Sequence, residues 1–302
     1  FHNILCLSKA KGMDIKMKYL WKGSLVEKEE MQIDFNDRGY QFGDGIYEFV
    51  RVYNGKLFAL EEHLDRFENS ARLLDMNMGY SREEIRGFFE QMVEANSLDS
   101  GNVYMQITRG DGKPRNHNYP PVEEQNPVIS GCVAHYYRPD EKIANGVKAI
   151  LYPDLRWQMC NAKSLNLLPN CMAIAEGKKR GADKAILYRN GYVTEERAGN
   201  VVIVKNGQIF TTPDSNEILP GITKNLVLKI CRENHLPFEE RKFTLQELME
   251  ADEVIVTDTK TECCPVIQIE DKVIGNGKRG PVTELLDEKY KELIVAQCGE
   301  VM

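Results

Sequence analysis

From residue 17 onward the chain changes hydrophobic period many times, and each change marks an element. Residues 17–26 read as a strand and a turn. Residues 46–53 alternate like a half-buried strand, and Asn54-Gly55 leads on into Lys56, Leu57 and Phe58. Asn-Gly between two such runs predicts a two-residue hairpin. Leu60, Leu64, Phe67, Ala71 and Leu74 recur at helical spacing with Arg66 at the flank of the stripe, so a helix is expected over 60–74. Ser81 and Glu84 form a capping box ahead of Ile85, Phe88, Phe89, Met92 and Val93, which predicts a second helix. Strands are expected over 102–108 and 127–137, with a polar, proline-containing loop over 109–124. Residues 37–45 hold Gly39, Gly43 and Gly45, and predict tight backbone approach or positive φ, not helix.

Residues 138–146 are polar and carry Pro139 and Gly146 between two strand signals, which predicts a linker. It divides a small N-terminal α/β domain (17–137) from a larger C-terminal domain (147–302). The second domain should hold the segment around Lys163, a helix over 170–181, and hairpins turned by Asn190-Gly191 and Asn206-Gly207. A helix starts near Ile222 and carries Leu226, Val227, Ile230 and Cys231. Thr244 and Glu247 cap a short helix, and an apolar strand over 253–257 runs into a polar loop at 258–262. The fold class expected is α+β, in two domains with mixed sheets.

A length of 302 residues, with 42% hydrophobic and 28% charged, suits a globular protein with a large core. The net charge of -7 argues against a nucleic-acid surface as the main business. No apolar run approaches the roughly 20 residues that span a bilayer. The eight cysteines show no CxxC pair, so reduced thiols in a cytoplasmic protein are expected and a metal site is not. Residues 1–16 lack the charge and apolar run of a signal peptide; they are expected to be an extension outside the fold.

Candidate chemistry gathers in a few segments. Lys163 stands in Met159–Leu168, where an amine could form a Schiff base, although most lysines are solvated. Glu195 and Glu196 follow Val193-Thr194; an acid there could hold a pyridine nitrogen, or both could be exposed at a strand end. Asn200 could orient neighbouring groups. Leu219–Thr223 opens a helix, and the backbone N–H groups of Ile222 and Thr223 suit a phosphate as well as a plain helix start. Thr257, Thr259 and Thr261 offer hydroxyls, and Arg66 a charge. Arg115 and His117 lie two apart in one loop, able to clamp a carboxylate or only to be solvated. Tyr47 lies in the strand after the glycine-rich loop.

Five ordered blocks, 37–48, 114–117, 163–168, 193–195 and 219–223, resemble the fold-type IV pyridoxal phosphate enzymes, and within them the D-amino acid aminotransferase group. The likeness covers nearly all of the chain from residue 17. It implies that Lys163 forms the Schiff base with the cofactor and then carries the proton. It implies that Glu195 serves the pyridine nitrogen, that Arg66, Ile222, Thr223 and Thr259 hold the phosphate, and that Leu219 packs on the ring. Tyr47, Arg115 and His117 match the trap for the substrate carboxylate, the last two reaching a neighbouring subunit's site, which implies a homodimer. The implied reaction is ping-pong transfer of an amino group from a D-amino acid such as D-alanine to a 2-oxo acid such as 2-oxoglutarate. Alternatives are a lyase of the aminodeoxychorismate type, a branched-chain L-amino acid aminotransferase, and a non-catalytic binder of the cofactor. One stretch departs from the family: Glu196-Arg-Ala-Gly199 stands where a glycine and small hydroxyl residues are usual. Arg197 could pair with Glu196, reach the cofactor, or offer a second anion site. Phe49, beside Tyr47, could narrow a substrate pocket.

Overall fold

A computed structural model describes residues 17–111 and 115–300, apart from the side chain of Lys142. The expected extension at 1–16, and Pro114 of the Arg-His motif, lie outside the described residues. The chain forms two compact units. One holds the described residues up to Tyr137 together with Ala162–Asn166 and those from Ile294; the other holds Arg138–Asn161 and Leu167–Leu293.

The first unit contains β1 (Tyr19–Trp21), β2 (Ser24–Val26), α1 (Arg38–Phe42), β3 (Gly45–Tyr53), β4 (Lys56–Leu57), α2 (Leu60–Leu73), α3 (Arg82–Ala95), β5 (Gly101–Thr108) and β6 (Val128–His135). Its sheet runs β2-β1-β6-β5-β3-β4 and is antiparallel throughout. The helical stripe and the capping box form as expected, with Ser81 Oγ accepting from Glu84 N. Leu64, Phe67, Phe89 and Met92 from α2 and α3 join Val50, Val103, Ile107 and Ile129 of the sheet in one core. Asn54 and Gly55 both take positive φ, the twist that a two-residue hairpin needs.

Residues 37–45 depart from the expected loop. Asp37 Oδ1 accepts from Gly39 N and Tyr40 N and so caps the five-residue α1, which ends at Gly43 in the left-handed region (φ 67°). The glycines also mark close approach: a Cβ on Gly39 would lie 2.3 Å from Thr108 Cγ2. The segment is too short for periodicity to show the helix.

The second unit contains α4 (Asp140–Asn145), β7 (Val147–Pro153), α5 (Leu168–Lys179), β8 (Lys184–Arg189), β9 (Tyr192–Glu196), β10 (Asn200–Lys205), β11 (Gln208–Thr211), α6 (Ile222–Glu233), β12 (Phe238–Glu240), α7 (Leu245–Met249), β13 (Glu253–Asp258), β14 (Glu262–Ile269), β15 (Lys272–Val273) and α8 (Pro281–Cys298), whose last turn belongs to the first unit. The stretch expected as a linker therefore holds a short helix. The sheet order is β12-β11-β10-β13-β14-β7-β8-β9, with β15 on β14. The pairs β11–β12, β14–β7 and β7–β8 are parallel and the rest antiparallel, so this sheet is mixed. Both Asn-Gly hairpins and the Thr244 cap form where expected. Val201, Ile203, Val254 and Val256 of the central strands pack with Ile186, Phe243 and Leu248.

Candidate active site

Lys163 was expected with the second domain but packs with the first unit, because its backbone completes a sheet edge. Where β4 stops, residues 162–166 run beside the start of β3. Tyr47 N donates to Lys163 O (2.9 Å), Leu165 N donates to Gly45 O (3.0 Å), and Ser164 bridges Ile46. Lys163 N donates to Ser70 Oγ on α2 (3.0 Å), which itself donates to Arg66 O (2.8 Å). The half-buried amine Nζ stands 4.4 Å from the centroid of the Tyr47 ring. Among the described residues it makes no hydrogen bond or ion pair. An amine with no carboxylate partner is not tied up in an ion pair, so the chain leaves it free to meet a carbonyl.

Strand alternation sends Tyr47 and Phe49 to one face of β3 and Glu48 to the other, toward α2. Glu48 is fully buried, with Arg66 Nε at 2.7 Å, Arg66 Nη2 at 2.9 Å and His63 Nδ1 at 2.7 Å. Burial would raise the Glu48 carboxyl, but the Arg66 charge and the hydrogen bonds from Arg66 and His63 hold it well below the ordinary carboxylate range. Arg66 is thus fixed in direction by Glu48, a partner that the sequence pattern did not reveal. On the other face Tyr47 packs against Tyr104 (5.6 Å between centroids), whose hydroxyl donates to Gln106 Oε1 at 2.7 Å.

Arg115 and His117 are exposed and sit around Phe42: the guanidinium lies 4.5 Å from the ring and the imidazole 5.5 Å. Arg38 anchors their loop by donating to Asn116 O (2.7 Å) and Asn118 O (3.2 Å). Arg38 and the fully buried Arg109 share one carboxylate, Asp44, at 2.7 and 2.9 Å. An Asp44→Ala chain leaves both cations unpaired, and should lose about 3–5 kcal/mol of stability in urea unfolding. A loss well under 1 kcal/mol would refute this account of the loop's anchor.

In the second unit Glu195 is buried and fully partnered. Arg156 Nη1 binds its Oε1, while Asn200 Nδ2 and Leu219 N each donate to Oε2 at 3.0 Å. Arg156 is also held by Asp154, Nη2 to Oδ2 at 2.7 Å. Burial pushes the Glu195 carboxyl above its ordinary value, and Arg156 opposes that push. Asn200 also donates to Leu219 O (2.9 Å), so it ties the acid to the turn ahead of α6. That turn needs Gly221, since a Cβ there would come within 1.9 Å of Asn200 Oδ1.

Among the described residues no side chain caps α6, so its first backbone N–H groups face outward from the helix end. Ile222 and Thr223 at that end are buried, and Tyr290 donates to Thr223 Oγ1 at 3.5 Å. Thr257, 2% exposed, has a buried hydroxyl oxygen with no hydrogen-bond partner among the described residues. Thr259, half-buried, follows in the turn after β13. The departing stretch after Glu195 is a tight turn: Glu196 N donates to Gly199 O, and Ala198 N to Glu196 Oε2. Of the three roles open to Arg197, the geometry supports the first, with Nε 3.4 Å from Glu196 Oε1.

Residues 45–269 match the family described as amino-transferase class IV. The chain belongs to the class IV aminotransferases. It is 42% identical over 285 residues to a D-alanine aminotransferase of Listeria monocytogenes serotype 4b, across 94% of this chain and 99% of that one. A D-alanine aminotransferase of Staphylococcus aureus (strain N315) is 42% identical over 277 residues, across 92% and 98%. Among solved structures, the branched-chain aminotransferase of the archaeon Thermoproteus uzoniensis with norvaline superposes with a TM-score of 0.83 at 27% identity, over 93% of this chain and 95% of that one. The branched-chain amino acid aminotransferase of Escherichia coli gives 0.83 at 23% identity, over 94% and 96%, a likeness of fold alone.

The groups present in this class IV aminotransferase fit the expected cofactor. Pyridoxal phosphate needs an amine, a buried acid and donors for a phosphate. Lys163 offers an unpaired amine, Glu195 a buried carboxylate, and the α6 terminus with the unpartnered Thr257 hydroxyl a set of open donors. Sequence reasoning did not foresee these holding contacts of Glu48, His63, Ser70 and Arg156, whose partners lie 15 to 93 positions away in the chain.

Proposed function

We propose that this class IV aminotransferase uses pyridoxal phosphate to move the amino group of a D-amino acid, such as D-alanine, to a 2-oxo acid. The observation that carries the choice of substrate is the 42% identity, along almost the whole chain, to proteins named D-alanine aminotransferase. The two branched-chain enzymes that share the fold are only 27% and 23% identical.

When bound, the cofactor supplies an aldehyde carbon that takes up the amino group and a ring that stores electrons from the substrate's Cα–H bond. The rest falls to the chain. Lys163 holds the cofactor and moves the proton at its Nζ. Glu195, kept charged by Arg156, holds the proton on the pyridine nitrogen. Ile222, Thr223, Thr259 and Arg66 take the phosphate, and Leu219 packs against the ring. Tyr47, Arg115 and His117 receive the substrate carboxylate; a bidentate guanidinium suits that group.

Arg115 and His117 serve the site of a second copy in this reading, and the protein works as a homodimer. Phe35, Tyr40, Tyr119 and Val122 are exposed in the single chain, and a second copy would cover such apolar surface. A cytoplasmic location accords with seven free cysteines among the described residues. No helix among the described residues is long and apolar enough to cross a membrane.

The test is to titrate the purified holoenzyme with D-alanine and with L-alanine while following the cofactor's visible absorbance. Loss of the band with the D-isomer only is expected. Loss with the L-isomer only would point to the branched-chain type, and a band inert to both would remove the transaminase reading.

A further inference from the structure

A carboxylate shapes the turn that carries Thr259. Asp258 Oδ1 accepts from Lys260 N and Thr261 N, both at 2.8 Å, and Thr261 Oγ1 donates to Oδ2 at 2.5 Å. The second oxygen is also held by Lys184 Nζ, on β8, at 2.6 Å. Lys184 is 8% exposed and reaches Thr261 Oγ1 at 3.3 Å. Burial would lower the Lys184 amine and raise the Asp258 carboxyl, but each holds the other charged, with Lys184 above and Asp258 below its ordinary value.

An acid is a poor choice beside an anion, because like charges repel strongly where water is scarce. An acid is also the best acceptor for two backbone N–H groups and a hydroxyl at once. We propose that Lys184 is a positioning residue that cancels the charge of Asp258, so that a turn folded around a carboxylate can present Thr259 to a phosphate. The proposal rests on the assignment of Thr259 to the cofactor's phosphate. It gives Lys184, outside every segment singled out in the sequence, a task in cofactor binding.

The experiment compares dissociation constants of pyridoxal phosphate and of pyridoxal, which lacks the phosphate, measured by absorbance titration of the stripped protein. Three chains are needed: the unaltered one, Lys184→Met, and Lys184→Met with Asp258→Asn. The unaltered chain should prefer pyridoxal phosphate. Lys184→Met should weaken pyridoxal phosphate by about tenfold or more, the scale of one uncompensated charge nearby, and leave pyridoxal unchanged. The double variant, with the stranded charge removed, should recover most of the loss. Equal weakening of both ligands would make Lys184 merely structural and overturn the proposal. So would an unchanged Lys184→Met chain, or a double variant no better than the single. If the unaltered chain bound both ligands alike, the phosphate assignment itself would fall.

Discussion

A chain with Lys163 replaced by Ala should fold normally and catalyse nothing measurable. The folding half of this expectation follows from the anchoring of the segment. Its hydrogen bonds run through the backbone of Lys163, to Tyr47 N and Ser70 Oγ, and alanine keeps them. The amine makes no ion pair among the described residues, so its removal strands no partner charge. The catalytic half follows from the two tasks given to one nitrogen. Proton transfer by a positioned group contributes roughly 10²–10⁴-fold, and the covalent attachment of the cofactor is lost as well. The check is a steady-state rate with D-alanine and a 2-oxo acid, beside a thermal unfolding curve of the same sample. Full activity in the variant would sink the mechanism. Lost activity with a collapsed unfolding curve would contradict the backbone account.

Arg156 should matter almost as much, and its signature should be a displaced pH profile. Burial raises the Glu195 carboxyl and Arg156 opposes that. With Arg156→Met the opposition disappears, and the carboxyl rises further. In the proposed function Glu195 works ionised, which is its form above its pKa, so the acid limb of kcat should move to higher pH. Once that limb reaches neutrality, activity there should drop by about tenfold for each further step of about 1 in the carboxyl's pKa, and return partly in alkali. Glu195→Gln separates this from simple damage, because it has no carboxyl to titrate and should be slow at every pH without displacement. An acid limb left in place in Arg156→Met would show that Glu195 does not need the guanidinium. Breaking the buried pair also costs stability, about 3–5 kcal/mol, so the profile and not the absolute rate decides.

Local signals in the sequence carried well into the structure. The Asn-Gly turns at 54, 190 and 206 and the capping boxes at Ser81 and Thr244 fall where the pattern puts them. Each is set by residues a few positions apart. The helix at Arg38–Phe42 was hidden because five residues show no period, although Asp37 is a good cap. The pattern reading assigns nothing after residue 262, yet Pro281 at the first turn of α8 is a helix-start signal. What sequence could not show is pairing over long distances. Lys163 meets the edge of β3, Arg66 meets Glu48, Arg156 meets Glu195 and Lys184 meets Asp258 only once the sheets are assembled. The residues proposed for the site come from the family resemblance, and the groups seen to hold them could not be read from the sequence.

The run of backbone beside β3 has a consequence for solubility. A bare sheet edge is a template on which other chains can pair and aggregate. β4 covers only Val52 and Tyr53 of β3, and Ala162–Asn166 cover the start of the same edge, at Gly45 to Tyr47. The five residues that present the Lys163 amine therefore also shield an aggregation-prone margin. On the proposed function, a substitution that loosened them would harm the protein twice, as a slower enzyme and as a stickier one.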